Sequence, residues 1–233
     1  MNKTKVKKAI RDYVYSIEWK LGEFGMAQHP ILTSFATMDI ETRELVHITE
    51  DNFEKLLEQR LQKIDEAVDE KDLFAMFIHI HKPFRIPVFM RIADELTQKE
   101  YSETLIDLWV DTEFPHENGV DLMLMLFAKA DKQYLMTDDE KQELEKMNDM
   151  IVVYRGLQDN AQEKAMSWTI DKKIAIWFAT RFDKKGRVIK AKIQKKHVFA
   201  FKDERAEGEI ILNPNYLRNA KDIHYEVEEG KKK

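Results

Sequence analysis

Residues 150–156 read Met-Ile-Val-Val-Tyr-Arg-Gly, and at this stretch the period of the apolar residues changes. Ile151 to Tyr154 are β-branched or aromatic without interruption, the signature of a strand, and Arg155-Gly156 closes the run. Upstream the apolar spacing is helical. Phe53, Leu56, Leu57, Leu61, Ile64 and Val68 recur at three- and four-residue steps after Thr49, and similar patterns cover Val88–Leu96, Tyr101–Val110 and Val120–Leu135. Pro83 and Pro87 are expected to break the chain between two of these helices. Thr137 followed by Glu140 forms a capping box for a short helix to about Met147. Downstream the residues alternate, with strands expected at Val188–Ile193, Val198–Phe201, Ile210–Leu212 and Ile223–Val227 around one amphipathic helix, Asp171–Phe182. The expected fold is α+β: a helical N-terminal region, residues 1–136, followed by a mixed or antiparallel β core, residues 137–233.

The chain of 233 residues is 43% hydrophobic and 35% charged, enough to bury a real core. It has no cysteine, which excludes disulfides, zinc–thiolate sites and thiol catalysis by its own residues. No apolar run has the length of a membrane span, and no apolar signal core follows the basic start Met1–Lys8. The expected compartment is the cytoplasm, of a bacterial or phage-infected cell, with no membrane partner. The net charge of -5 hides an asymmetry: residues 1–150 carry 19 Lys and Arg against 31 Asp and Glu, whereas residues 151–233 carry 19 against 12. A basic half suits an anionic ligand, although charge also varies between domains for solubility alone.

Three short segments in that basic half carry potential chemistry. They are Tyr154-Arg155-Gly156 at the end of a strand, Ser167-Trp168-Thr169 on another, and Glu207-Gly208-Glu209 opening a third. Phe178 follows Ser167 by 11 residues, Arg181 by 14 and Glu209 by 42. In this order and spacing the chain resembles the mono-ADP-ribosyltransferases with an arginine, Ser-x-Ser/Thr and Glu-x-Glu signature. Within them it is similar to the actin-modifying binary toxin subunits and the arginine-specific transferases. The resemblance covers roughly residues 150–228 and implies an ADP-ribosyltransferase-like β-sandwich core with NAD as co-substrate.

It also implies roles for the matching residues. Glu209 would act on the ribose of NAD, Glu207 would activate the acceptor, and Ser167 would orient Glu209. Arg155 would hold phosphate or ribose oxygens of NAD, Arg181 would make a second phosphate contact, Phe178 would stack on nicotinamide, and Tyr154, Gly156 and Thr169 would complete the NAD site. The chemistry calls for these types of residue. Breaking the N-glycosidic bond of NAD builds positive charge on the ribose, which a nearby carboxylate stabilises more in the transition state than in the ground state. Planar guanidinium groups suit phosphate oxygens. On an extended strand, residues two apart point to the same side, which would place both carboxylates together. Two departures stand out: Trp168 and Thr169 occupy positions where many members carry Thr and Ser. The segment Phe201–Ala206, corresponding to the loop that reads the target, carries Glu204 where some members place an aromatic.

The implied reaction is transfer of ADP-ribose to a macromolecule, with protein arginine favoured by Glu207 and a nucleic-acid acceptor also open. Hydrolysis of NAD by water is the nearest alternative, and a non-catalytic binding or inhibitor module on the same fold is the alternative from another class. Taken singly, the residues have plainer readings. An Arg-Gly after a strand is commonly a turn, a Glu-x-Glu a solvated edge, and Phe178, with Ile174, Ala175 and Trp177, a core face. His79 and His81 would share one face of a strand as metal ligands, with His116 as a third, but no spacing supports such a site and none is assigned. Lys190, Lys192, Lys195 and Lys196 suit either nucleic acid or a solvated face.

Overall fold

The computed structural model of the protein describes residues 1–22, 25–112, 118–158, 164–181 and 186–225. His116, Phe182 and residues 226–233 lie outside these, and with them the third candidate metal ligand, the expected end of the Asp171 helix and the end of the expected strand Ile223–Val227. The chain divides into two compact units, Met1–Pro115 and His116–Lys233. It is a mixed helix and sheet protein whose strand pairings, among the described residues, are all antiparallel.

The first unit holds α1 (Lys3–Tyr15), β1 (Ala36–Met38), β2 (Leu45–His47), α2 (Glu50–Glu70), α3 (Leu73–Ile78), α4 (Lys82–Ile92) and α5 (Gln98–Asp111). Helix α2 starts where Asn52 Oδ1 accepts the Thr49 amide at 2.8 Å, and it buries Leu56, Leu57, Leu61, Ile64 and Val68 as the periodicity predicts. Arg11 of α1 grips α2 through Glu58 at 2.8 Å and Asp65 at 2.7 Å. The short β1–β2 hairpin has no apolar alternation to announce it; its residues are half-buried or exposed.

Two expectations are corrected here. Pro83 and Pro87 do not separate helices: Pro83 lies in the first turn of α4 and Pro87 inside it. A proline in a helix interior costs about 3 kcal/mol. Burial of Ile86, Val88, Phe89 and Ile92 on the same helix, each worth about 1.5–3 kcal/mol, outweighs it. His79 and His81 do not share a strand: His79 ends α3 and His81 precedes α4.

The second unit holds α6 (Val120–Lys129), α7 (Asp138–Lys146), β3 (Met150–Leu157), β4 (Ser167–Thr169), α8 (Lys172–Thr180), β5 (Arg187–Gln194), β6 (Val198–Lys202), β7 (Glu209–Leu212) and β8 (Arg218–Ile223). Helix α6 stops at Lys129, short of the expected Leu135, because Ala130 turns to extended backbone and Asp131 caps a separate 3-10 turn by accepting the Gln133 amide at 3.0 Å. The capping box of Thr137 and Glu140 opens α7. Strand β8 runs 218–223, so the expected strand 223–227 is met only at Ile223 among the described residues, and Glu226 and Val227 lie outside them. Strand β8 is exposed at every position but Ile223, so no apolar period marks it.

The strands form one six-stranded sheet in the order β6-β7-β4-β3-β5-β8. Its two halves meet through a single pair, Tyr154 opposite Thr169. One face carries the main core: Ile151, Val153, Trp168, Ile189, Ile193 and Ile210 are buried there, with Met136, Leu144 and Met147 packed against them. On the other face Ala175 and Ala179 of α8 pack on Val188 and Tyr154. None of the helices is long and apolar enough to cross a membrane, among the described residues.

In the first unit His29 is fully buried, and its Nδ1 accepts the amides of Ile31 at 3.2 Å and Leu32 at 3.0 Å. Burial lowers its pKa from 6.5 to about 4. Because the folded value lies below the unfolded one, its contribution is intact above pH 6.5 and is lost as the pH falls toward 4. Hydrogen exchange at the Ile31 and Leu32 amides should show local stability falling by up to roughly 3 kcal/mol over that interval. In His29→Asn, whose oxygen accepts the same amides without titrating, the profile should be flat.

Candidate functional site

The three motifs converge at the seam between β3 and β4. Arg155, near the end of β3, donates from Nη1 to the backbone carbonyl of Ser167 at 2.6 Å. Ser167, the first residue of β4, donates from Oγ to Oε1 of Glu209 at 2.5 Å. Residues separated by 54 positions are thus joined through two hydrogen bonds. Ser167 lies opposite Ile211 and Thr169 opposite Glu209, so β4 and β7 hold the serine and the carboxylate on the same side of the sheet.

Arg155 is partly exposed, but its Nε atom is buried and has no hydrogen-bond partner among the described residues. Loss of hydration lowers its pKa to about 10, while the charge of Glu209 acts in the opposite sense. The side chain is still a cation at neutral pH, held where an anion would find a charge short of partners. This is the feature of the site that fits a phosphate-bearing ligand.

Thr169 has a different task from direct contact with a ligand. It is buried, and its hydroxyl donates to the Glu207 carbonyl at 2.6 Å and accepts the Asp171 amide at 2.9 Å. One hydroxyl therefore ties the turn before β7 to the start of α8. That turn overturns one expectation: Glu207 is not on the strand. Gly208 adopts φ +53°, a left-handed conformation, and β7 begins only at Glu209. The two-residue alternation of extended backbone does not extend to Glu207, and its placement is set by Thr169 instead. Asp203 braces the same loop, accepting the Gly208 amide on its side chain and the Ala206 amide on its carbonyl, both at 2.9 Å.

Gly156 adjoins Arg155 and lies against α8. A methyl group there would sit 1.9 Å from the Ala175 carbonyl oxygen, 2.7 Å from the Ala179 nitrogen and 2.9 Å from Cβ of Phe178. The glycine thus lets α8, around Phe178, approach β3 closely. The Arg181 guanidinium lies 5.1 Å from the centre of the Phe178 ring, and Gln158 just beyond β3 donates to the Arg181 carbonyl at 2.8 Å. Tyr154 lies under α8, with the Lys190 ammonium 5.8 Å from its ring. Trp177 differs from the expected core face: Ala175 is buried, but Trp177 is 55% exposed and packs edge-on against Phe178.

Hydrogen bonds join Arg155, Ser167 and Glu209, close approaches join Gly156, Phe178 and Arg181, and Thr169 is tied to Glu207. Sequence reasoning missed Gln158 and Asp203, although an aspartate opening a glycine-containing loop is a turn signal. A depression in the first unit, lined by Phe74, Phe77, Ile78, Arg85 and Asp111 among others, contains no residue of the three motifs. Comparison with protein-family models, with curated proteins and with solved structures finds no match for the chain.

The close approach at Gly156 is the least forgiving point of this arrangement, because the two nearest of the three atoms are backbone. Gly156→Ala should lower the unfolding free energy of the second unit by about 3 kcal/mol or more, read by urea titration with Trp168 fluorescence.

Proposed function

We propose that the protein is a mono-ADP-ribosyltransferase, moving ADP-ribose from NAD to a macromolecular acceptor, a protein arginine, with release of nicotinamide. The observation that carries this reading is the unbroken chain of hydrogen bonds from Arg155 through Ser167 to Glu209. It assembles a dehydrated cation and an oriented carboxylate, the two charges that NAD cleavage requires at opposite ends of a nicotinamide nucleotide.

The chemistry follows from those charges. When the bond between ribose C1 and the nicotinamide nitrogen breaks, the electron pair leaves with the ring. Nicotinamide departs neutral, and the sugar becomes an oxocarbenium-like cation. Glu209, fixed by Ser167, stabilises that cation through the ribose hydroxyl. Arg155 and Arg181 hold the diphosphate, which stays anionic throughout, and their contribution is to binding and alignment. Phe178 supplies a face for the nicotinamide ring. The guanidinium nitrogen of the acceptor attacks C1 and its proton passes to Glu207.

The division of labour between the carboxylates makes the reading testable. Glu209→Gln should lower nicotinamide release on the order of 10²–10³-fold at unchanged thermal stability. Glu207→Gln should abolish labelling of protein arginine while leaving slow hydrolysis of NAD. Equal activity of the wild type and Glu209→Gln, followed by chromatography of nicotinamide and mass spectrometry of acceptor proteins, would discard the assignment.

A further inference from the structure

Strand β8 closes one edge of the sheet, and its register against β5 sets like charges opposite one another. Lys190 faces Lys221, and Lys192 faces Arg218. Such pairs repel, whereas pairs of opposite charge would stabilise the same ladder. Among the described residues, none of the four forms an ion pair with a carboxylate. The register is held by a bulge: Asn219 and Ala220 together oppose Ala191, and Asn219 adopts φ 53°. Without that extra residue, Arg218 would not fall opposite Lys192.

All four side chains stand on the same face. Residues paired across a ladder project to one side, so the row Thr169–Tyr154–Lys190–Lys221 runs across the sheet with the row Val152–Lys192–Arg218 beside it. The two rows lie roughly 7 Å apart along the strands, on the scale of neighbouring phosphates in an extended nucleic-acid strand. Lys192, Arg218 and Lys221 are exposed. Beyond Arg218, where β5 ends and β8 begins, His197 and Tyr216 are stacked with ring centres 3.6 Å apart and 4° between their planes. Tyr216 is 48% exposed. The positive charges of Lys132, Lys196 and Arg218 lower the pKa of His197 further than burial alone, so the stack is set within a positive field.

We infer that this face of β5 and β8 binds single-stranded nucleic acid, with Lys190, Lys192, Arg218 and Lys221 on successive phosphates and Tyr216 offering its ring to a base. Charge on an edge strand also guards against pairing with other sheets, but that task does not call for like charges placed opposite one another or for a stacked aromatic pair at their end. A phosphate backbone removes the repulsion that the register creates, and an aromatic ring accepts any base. The surface borders the motif residues, since Lys190 lies 5.8 Å from the Tyr154 ring, but Lys192, Arg218, Lys221 and Tyr216 have no part in the proposed transfer reaction.

Fluorescence anisotropy with labelled 20-nucleotide oligo-dT and oligo-U, in the absence of NAD, tests it. The intact protein should bind both with an affinity that falls as salt rises, with a log–log slope of about −3 if four phosphates are neutralised. The double variant Lys192→Glu, Lys221→Glu puts opposite charges across both pairs. Its melting temperature should hold or rise while its affinity falls at least tenfold, which separates binding from folding. Tyr216→Ala should weaken binding several-fold with the salt slope unchanged. Unchanged affinity in the double variant would overturn the inference. So would equal binding to polyglutamate, or to anionic vesicles, in place of preference for the oligonucleotides.

Discussion

One pair of residues, Tyr154 opposite Thr169, joins the two halves of the six-stranded sheet, and what surrounds that pair depends on the junction. On one side, eight consecutive positions of β3 pair with β5. On the other, β4 is only three residues long and pairs fully with β7. A seam this short leaves backbone and side-chain groups near it without ladder partners. Arg155 fills one of these places by reaching from β3 to the carbonyl of Ser167. The most demanding side chain of the second unit, an arginine with a dehydrated guanidinium, is therefore also part of what holds the sheet together.

The acidic side of the seam is organised by hydroxyl groups. Ser167 holds Glu209 through its side chain, and Thr169 holds Glu207 through the backbone. The two carboxylates are thus treated differently. Glu209 has its own oxygen fixed by a neighbour, while Glu207 is pinned through its main chain. For a reaction in which one carboxylate stabilises a fixed sugar and the other meets a variable acceptor, that difference is appropriate. A buried ion pair beneath the loop, Lys202 with Glu140 at 3.0 Å, anchors the turn to α7. Glu140 is also the capping-box residue of that helix, so one carboxylate both starts α7 and steadies the base of the loop.

Much of this was legible in the sequence because it follows period and spacing. The run Ile151–Tyr154, the alternation in β5 and the apolar steps of α2 each express a single buried face. Thr137 and Glu140 announce a helix start by hydrogen bonding within four residues. Arg155, Ser167 and Glu209, singled out by order and spacing, are joined by hydrogen bonds. What escaped was set by tertiary contact. Strand β8 is held by its partner rather than by burial, so its charged sequence has no strand period. Pro87 is carried inside a helix by the apolar residues around it. Glu207 was expected to share a strand with Glu209, and only the positive φ of Gly208 shows otherwise. Trp177 reads as core by composition, yet α8 packs through Ala175 and Ala179 and leaves Trp177 exposed.

We propose that Arg155, Ser167 and Glu209 enclose one ligand, a dinucleotide, at the seam. The most direct measurement is a crystal structure of the Glu207→Gln, Glu209→Gln protein grown with NAD. The diphosphate should lie within hydrogen-bond distance of the Arg155 guanidinium, the nicotinamide ring against Phe178, and the adjoining ribose facing position 209. NAD bound elsewhere, or a seam that stays unliganded while NAD is present at millimolar concentration, would contradict it.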